Sequence, residues 1–278
     1  MTNNTPDICI SDQILQQADE NYFESWKIIV SASPKSDIHC DDEEDGMILV
    51  CAGLSSVSLF NVAFVTRPLI DPQGAVDRTI RYFKDKNIPG LICVREGVDP
   101  MIDEVAKSRG LTPAPPHPGM ILHPISSATV PPQLKDFEIV QVKTEPDLND
   151  FARIANAAFG MPDGFSRQIT TKSTLQHPGV TYFLGKLDGN PIATSALIRT
   201  GTVAGIYWVT VDSNYRRRGF GTQMCWAAAQ AGQQEGCCTA NLQASKFGRS
   251  VYERVGFRIA LPYNNYQVDI EPKQANVE

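Results

Sequence analysis

The sequence predicts an α/β (α+β) protein in two domains, 1–134 and 135–278, with helices interleaved among short strands. Three observations carry this. Apolar, β-branched runs of strand length alternate with segments of helical periodicity from residue 47 onward. Helix-start signals recur at Asp71-Pro72, Asp99-Pro100 and Thr144 with Asp147, and glycines at 110, 160, 236 and 256 close the helices. A chain of 278 residues that is 42% hydrophobic can bury two medium cores.

In chain order, residues 14–26 have the spacing of an amphipathic helix, and the acidic block 40–46 reads as a solvated loop. Residues 47–65 contain two strand-like runs, broken near 53–56. Asp71 can cap a helix over 72–86, with Pro72 in its first turn. A strand is predicted at 89–94. Asp99-Pro100 repeats the signal for a helix ending at Ser108, and a short strand covers 120–123. The Pro- and Ser-rich stretch 126–133 reads as a linker. Beyond it come a strand (137–143) and a helix to Phe159, with Leu148, Phe151, Ile154, Ala155 and Ala158 on one face. A loop or loose helix follows to Pro178. Asp188-Gly189 is a hairpin turn between strands 181–187 and 191–200. A further strand spans 203–211. A helix from Thr222 carries Met224, Ala227, Ala228 and Ala231 toward the sheet. A strand at 237–242, a helix at 247–254 and strands at 257–259 and 263–270 complete the chain, ahead of a solvated tail.

The formal net charge of −6 argues against a nucleic-acid binder, which needs a broad basic face. Seven cysteines without a Cys-x-x-Cys, and four histidines without ligand spacing, speak against a disulfide framework or a structural metal. No basic leader followed by an apolar stretch opens the sequence, and no apolar run approaches the ~20 residues that span a bilayer. The expectation is a cytoplasmic protein without metal, membrane or nucleic-acid partner.

Against that acidic background stands Val209-Thr210-Val211-Asp212-Ser213-Asn214-Tyr215-Arg216-Arg217-Arg218-Gly219-Phe220-Gly221-Thr222. A strand that ends in a basic, glycine-broken turn and enters a helix is a phosphate cradle. The helix start leaves N–H groups unpartnered, the macrodipole adds positive charge, and glycine admits an anion close to the backbone. No Lys follows Gly221, so the P-loop pattern is not met, and Met224 stands where the dinucleotide fingerprint needs its third glycine. What remains is Arg-x-x-Gly-x-Gly, from Arg216, Gly219 and Gly221. With the Val-x-Val strand before it and Ser-Lys-Phe-Gly-Arg-Ser-Val-Tyr-Glu-Arg-Val-Gly-Phe (245–257) after it, the segment resembles the acetyl-CoA loop of the GNAT N-acetyltransferase superfamily. The resemblance covers 137–270 well and the first half weakly. Ala-Lys-Ser-Arg-Gly-Leu (106–111) echoes Tyr-Glu-Arg-Val-Gly-Phe (252–257), as in a diverged second copy that has no Arg-x-x-Gly-x-Gly.

The resemblance implies a mixed, mostly antiparallel sheet flanked by helices, acetyl-CoA as co-substrate, and a small-molecule or peptide amine as acceptor. It implies that the diphosphate lies on Arg216, Arg217, Arg218, Gly219, Phe220, Gly221 and Thr222, and that the pantetheine arm pairs with Val209, Thr210 and Val211. That pairing requires the strand to part from its neighbour. Ser245 stands where relatives place an Asn on the coenzyme; it also suits an N-cap. Tyr252 matches the tyrosine that protonates the leaving thiolate, and its alternative is packing on Phe257. Residues 206–211 hold no carboxylate, whereas many relatives place a Glu base there, so the general base is left unassigned. A non-catalytic acyl-CoA binder is the second reading. The loop after Phe159 falls where relatives line the acceptor pocket.

Overall fold

The computed structural model describes residues 10–40, 46–53 and 57–270. The acidic run 41–45, the break at 54–56 and the tail 271–278 lie outside them. The chain runs α1 (Asp12–Ser31), β1 (Asp37–Cys40), β2 (Met47–Cys51), β3 (Asn61–Val65), α2 (Pro72–Lys86), β4 (Gly90–Arg95), α3 (Ile102–Ser108), β5 (Thr112–Ala114) and β6 (Gly119–Leu122). It continues through β7 (Phe137–Gln141), α4 (Glu145–Phe159), α5 (Lys172–Leu175), β8 (Val180–Leu187), β9 (Asn190–Thr200), β10 (Val203–Val211) and α6 (Phe220–Gln234). It ends with β11 (Thr239–Gln243), α7 (Arg249–Val255), β12 (Arg258–Leu261) and β13 (Tyr263–Val268).

Two sheets form, ordered β1-β2-β3-β4-β13-β5 and β12-β6-β11-β10-β9-β8-β7. Each is antiparallel except for one parallel pair, β3–β4 in the first and β10–β11 in the second. Both are thus mixed, mostly antiparallel sheets with helices on their faces, as expected.

The sheets do not follow a linear cut at 134. The last strand of each half is exchanged: β6 pairs with β11 and β12, while β13 pairs with β4 and β5. Two compact units result, one from the chain through Ser25 with Pro118–Leu261, the other from Trp26–His117 with Pro262 onward. Strand periodicity reveals which face is buried but not which distant strand is the partner, so the exchange leaves no mark in the pattern.

In the unit that holds β10, α6 lies on one face of the sheet. Leu197, Ala204, Ile206, Cys225, Ala228, Ala229 and Phe257 form the core there. The buried stripe of α6 is Met224, Cys225, Ala228, Ala229 and Gly232, a quarter-turn from the expected one: Ala227 and Ala231 are half-buried. Small residues allow a close approach, since a Cβ at Gly232 would lie 2.5 Å from Ala204 Cβ. On the other face, α4 buries Leu148, Phe151, Ala152, Ile154 and Ala155. Thr144 caps it by accepting the Asp147 N–H, and Gly160 ends it in the left-handed conformation.

In the other unit α2 and α3 cover β2–β4, with Val76, Phe83, Ile92, Val94, Ile102 and Tyr266 in the core. Asp71 and Pro72 open α2 as expected. Asp99 does not cap α3, which begins at Ile102. Its buried carboxylate instead accepts the Leu69 N–H at 2.7 Å and the Met101 N–H at 2.8 Å, bracing two loops. Among the described residues no helix is long and apolar enough to cross a membrane.

Candidate active site

β10 is regular up to Tyr207 and then bulges. Its antiparallel register with β9 runs Tyr207↔Ala196 and resumes at Thr210↔Thr194, so β10 advances three residues while β9 advances two. Trp208 absorbs the extra residue at φ +54°, a left-handed conformation that is costly for a bulky side chain and needs external support. The support is visible. The Thr194 hydroxyl donates to the Trp208 carbonyl at 2.7 Å and lies 2.7 Å from the Thr210 hydroxyl, all of it buried. The indole packs edge-on against Phe151 and Phe159 of α4.

Near the bulge β10 also parts from β11. The two strands pair in parallel only over Val203–Gly205 with Thr239–Asn241. Ile206, Tyr207, Thr210 and Val211 keep their β9 partners, and from Ile206 to Val211 there is no ladder on the β11 side. Val209, Thr210 and Val211 therefore carry a backbone edge that no strand covers, the arrangement that an extended, amide-bearing ligand arm requires, although Arg216 reaches the Val211 carbonyl.

The turn into α6 is self-bracing. The Asp212 carboxylate accepts the Asn214 N–H at 2.9 Å, and Arg216 Nε donates to the Val211 carbonyl at 3.1 Å. Arg217 (φ +62°) and Gly219 (φ +89°) take left-handed conformations that turn the chain into the helix. The helix begins at Phe220, two residues before Thr222. The Thr222 N–H is consequently spent on the Gly219 carbonyl at 3.1 Å, which leaves the Phe220 and Gly221 N–H groups as the helix-start donors. Gly219 offers no side chain to cap them. The Phe220 ring anchors this end on Phe137 at 4.6 Å, and the Arg218 guanidinium lies over the Phe220 ring at 5.1 Å. All three arginines are exposed, so the triplet adds positive potential at an open helix N-terminus.

The next strand and helix complete the site. A Cβ at Gly221 would stand 3.5 Å from Val251 of α7 and 3.7 Å from Val211 of β10, so the first turn of α6 lies between the end of β10 and the start of α7. One residue beyond Val251 is Tyr252, buried, with its ring against Phe257 at 6.3 Å. Burial, with the Cys225 thiol nearby, raises its phenol above the ordinary tyrosine range, so it is protonated at neutral pH. A Cβ at Gly248 would lie 3.2 Å from the Tyr252 hydroxyl and 3.3 Å from Ser245 Oγ, which puts both hydroxyls around that glycine. Ser245 Oγ accepts the Gly248 N–H at 3.1 Å, bracing the turn before α7, which starts at Arg249. The Ser245 side chain is exposed and can take a second partner.

The residues that sequence reasoning singled out thus fall on two adjacent strand–turn–helix units, β10–α6 and β11–α7. Sequence reasoning missed Thr194, the hydroxyl that holds the bulge, because a threonine in a β-branched strand carries no separate signal. A cleft of about 490 Å³ runs along the outer side of α4, lined by Asp150, Arg153, Asn156, Met161, Asp163 and Arg167. It takes in part of the loop after Phe159 but no residue of β10 or the cradle.

Residues 148–257 match the model of the acetyltransferase (GNAT) family. No curated protein matches the chain. Among solved structures, a GCN5-related N-acetyltransferase from Kribbella flavida is 18% identical with a TM-score of 0.67, over 90% of this chain and 94% of that one. A GCN5-related N-acetyltransferase from Sphaerobacter thermophilus is 14% identical with a TM-score of 0.62, over 82% of each. A tandem GNAT protein from the clavulanic acid biosynthesis pathway is 11% identical with a TM-score of 0.62, over 95% of this chain and 98% of that one. These likenesses share the fold over nearly the whole chain, in keeping with a two-copy arrangement, and residues 148–257 are a GNAT-family acyltransferase domain.

Proposed function

We propose that this domain transfers an acetyl group from acetyl-CoA to a primary amine by direct attack in a ternary complex. The observation that carries the reading is the conjunction of an open β10 edge with an uncapped, arginine-flanked helix start at its end. The cradle fits a diphosphate: the Phe220 and Gly221 N–H groups donate, and Gly221 keeps the space between Val211 and Val251 clear of side-chain atoms. Arg216, Arg217 and Arg218 supply charge, and Thr222 and Ser245 supply hydroxyls at its border. Val209, Thr210 and Val211 hold the arm by backbone pairing. A β10 N–H beside the bulge donates to the carbonyl oxygen as negative charge develops there.

The amine nitrogen bonds to the acyl carbon, the carbon–sulfur bond breaks, and one amine proton is lost to solvent. Tyr252 gives its proton to the departing thiolate and regains one from water. The products are an N-acetyl amide and free CoA. The half of the chain around β1–β5 is, in this reading, a diverged copy without a coenzyme site.

One observation favours a second reading, a non-catalytic acyl-CoA sensor: β10 carries no carboxylate to act as base. Calorimetry with acetyl-CoA, followed by measurement of CoA release with a panel of primary amines, separates the two. Binding with amine-dependent release supports transfer. Binding with no release on any amine supports the sensor, and no binding removes both.

A further inference from the structure

The missing carboxylate has a structural counterpart on the other face of the sheet, where α1 crosses β10 and β11. Asn21 and Asn241 are fully buried there. The Asn21 amide nitrogen donates to Ile198 O at 3.0 Å and Thr200 Oγ1 at 2.8 Å, and the Asn241 nitrogen donates to Ala18 O at 2.8 Å. These bonds fix both amides and turn both oxygens away from their partners. Among the described residues Asn21 Oδ1, Asn241 Oδ1 and Gln243 Nε2 are buried polar atoms with no hydrogen-bond partner, and the Ser25 and Tyr207 hydroxyls have none but each other. They form one patch. A Cβ at Gly205 would lie 2.3 Å from Asn21 Oδ1 and 2.6 Å from the Tyr207 ring, and Gly205 is paired in register with Asn241. Ser25 neighbours the Tyr207 phenol. Gln243 is the next residue on the same face of β11, just beyond the point where β10 and β11 separate.

Buried polar atoms are normally satisfied, and several orphans at one place mark a site that another group completes. These stand at the mouth of the strand divergence, beside the bulge. We infer that Asn21, Ser25, Tyr207, Asn241 and Gln243 form the wall that receives the acceptor, and that this wall selects amines of low basicity, held as neutral NH₂. The inference rests on the transferase reading above.

The chemistry of the wall gives the selectivity. Amide and hydroxyl oxygens accept N–H bonds from a neutral amine, and its lone pair stays free to attack. An ammonium brought to the same buried place meets no carboxylate, so desolvation disfavours it. Tyr207 is the titratable group of the wall, and burial raises its phenol, which makes it neutral there. Of the acids of α1, Asp12 stands in its first turn, Glu20 accepts from Gln16, and Asp19 and Glu24 have partners of their own. His123 is bonded to Thr239 at 2.8 Å. The amine must therefore arrive deprotonated, so the enzyme spares a general base at the cost of working poorly on strongly basic amines.

The test uses the full chain, acetyl-CoA, and two amines of similar size, glycinamide and the more basic n-propylamine. At neutral pH glycinamide should show a kcat/KM at least about tenfold higher, since each unit of amine basicity above the assay pH removes about tenfold of the neutral form. The gap should close as pH approaches the alkylamine's own range. Gln243→Glu, which puts a carboxylate in the wall, should narrow the gap at neutral pH. Tyr207→Phe, which deletes one oxygen of the wall, should lower kcat/KM for amines and leave acetyl-CoA affinity unchanged. Equal use of the two amines, or variants that lose coenzyme affinity and amine turnover together, would overturn the inference and leave the transferase reading standing. A chain that binds acetyl-CoA but acetylates neither amine nor any other primary amine would overturn both.

Discussion

The chain contains the same strand–helix–strand unit twice, and among the described residues only one copy leaves its helix start uncapped. In β3–α2–β4 the parallel strands stay paired from Val62 to the end of β3 at Val65, so the sheet has no open edge there. The helix start is closed from within: Asp71 accepts the Gly74 N–H at 2.9 Å, Pro72 removes another N–H, and a Cβ at Gly74 would collide with the Asp71 carboxylate at 2.0 Å. In β10–α6–β11 the pairing stops at Gly205, the capping residue is a glycine, and arginines replace the aspartate. Topology is common to both. What differs is whether the helix N-terminus is satisfied by its own chain or left for a ligand, and whether the strands part before reaching it.

The sharpest way to break this contrast is Gly221→Trp, which fills the space between Val211 and Val251. Affinity for acetyl-CoA by calorimetry should fall more than about 100-fold, roughly 3 kcal/mol. Unchanged affinity would remove the cradle from the argument. The next largest effect is expected from Tyr252→Phe. A general acid contributes about 10²–10⁴-fold, so kcat should drop by about 100-fold while acetyl-CoA affinity stays near the original. Parallel loss of stability and affinity would make Tyr252 a packing residue over Phe257.

Much of this was legible before any coordinates. Arg216, Gly219 and Gly221 announce the strand–turn–helix junction, because a tight turn into an uncapped helix start needs specific residue types in adjacent positions. Asp188-Gly189, Thr144 with Asp147, and Asp71-Pro72 are likewise local chemistry, and each marks the element boundary it signals. Three features were not legible. The exchange of β6 and β13 is decided by partners more than a hundred residues away. The bulge at Trp208 depends on Thr194 in another strand and on Phe151 and Phe159 in α4. Asp99 has the sequence of a helix cap, but its carboxylate is drawn to the Leu69 N–H thirty residues earlier. Short-range rules read what is fixed at short range, and the orphaned atoms of Asn21 and Asn241 belong to the long-range class.

A milder test addresses the closed helix start. Asp71→Ala removes the internal cap of α2 and should cost about 1 kcal/mol, read as a lower urea midpoint. It should not create a second coenzyme site, because β3 and β4 remain zipped to Val65 and Val94. Calorimetric stoichiometry should stay at its original value. A second equivalent of acetyl-CoA bound by Asp71→Ala would mean that capping alone separates the two copies.

The smallest expected effect lies at the edge of that same closed unit and depends on pH. Asp37 of β1 accepts from Lys86 at 2.8 Å, from the Tyr82 hydroxyl at 2.7 Å and from His39 at 2.9 Å. Lys86 above all, then Tyr82, lowers its carboxyl from 3.8 to about 2. A carboxyl held below its unfolded value stabilises the fold fully above about pH 4, and that contribution is lost as pH falls toward 2. Asp37→Asn should therefore lower the urea midpoint at about pH 5 and narrow the difference from the parent at about pH 2. The effect should be small and sensitive to salt, because the Asp37 side chain is 31% exposed and water screens its partners. No equivalent acid-sensitive loss is expected from the arginine turn of the other unit. There the positive charges face solvent without a carboxylate partner among the described residues, so no lowered carboxyl pKa ties that turn to acid.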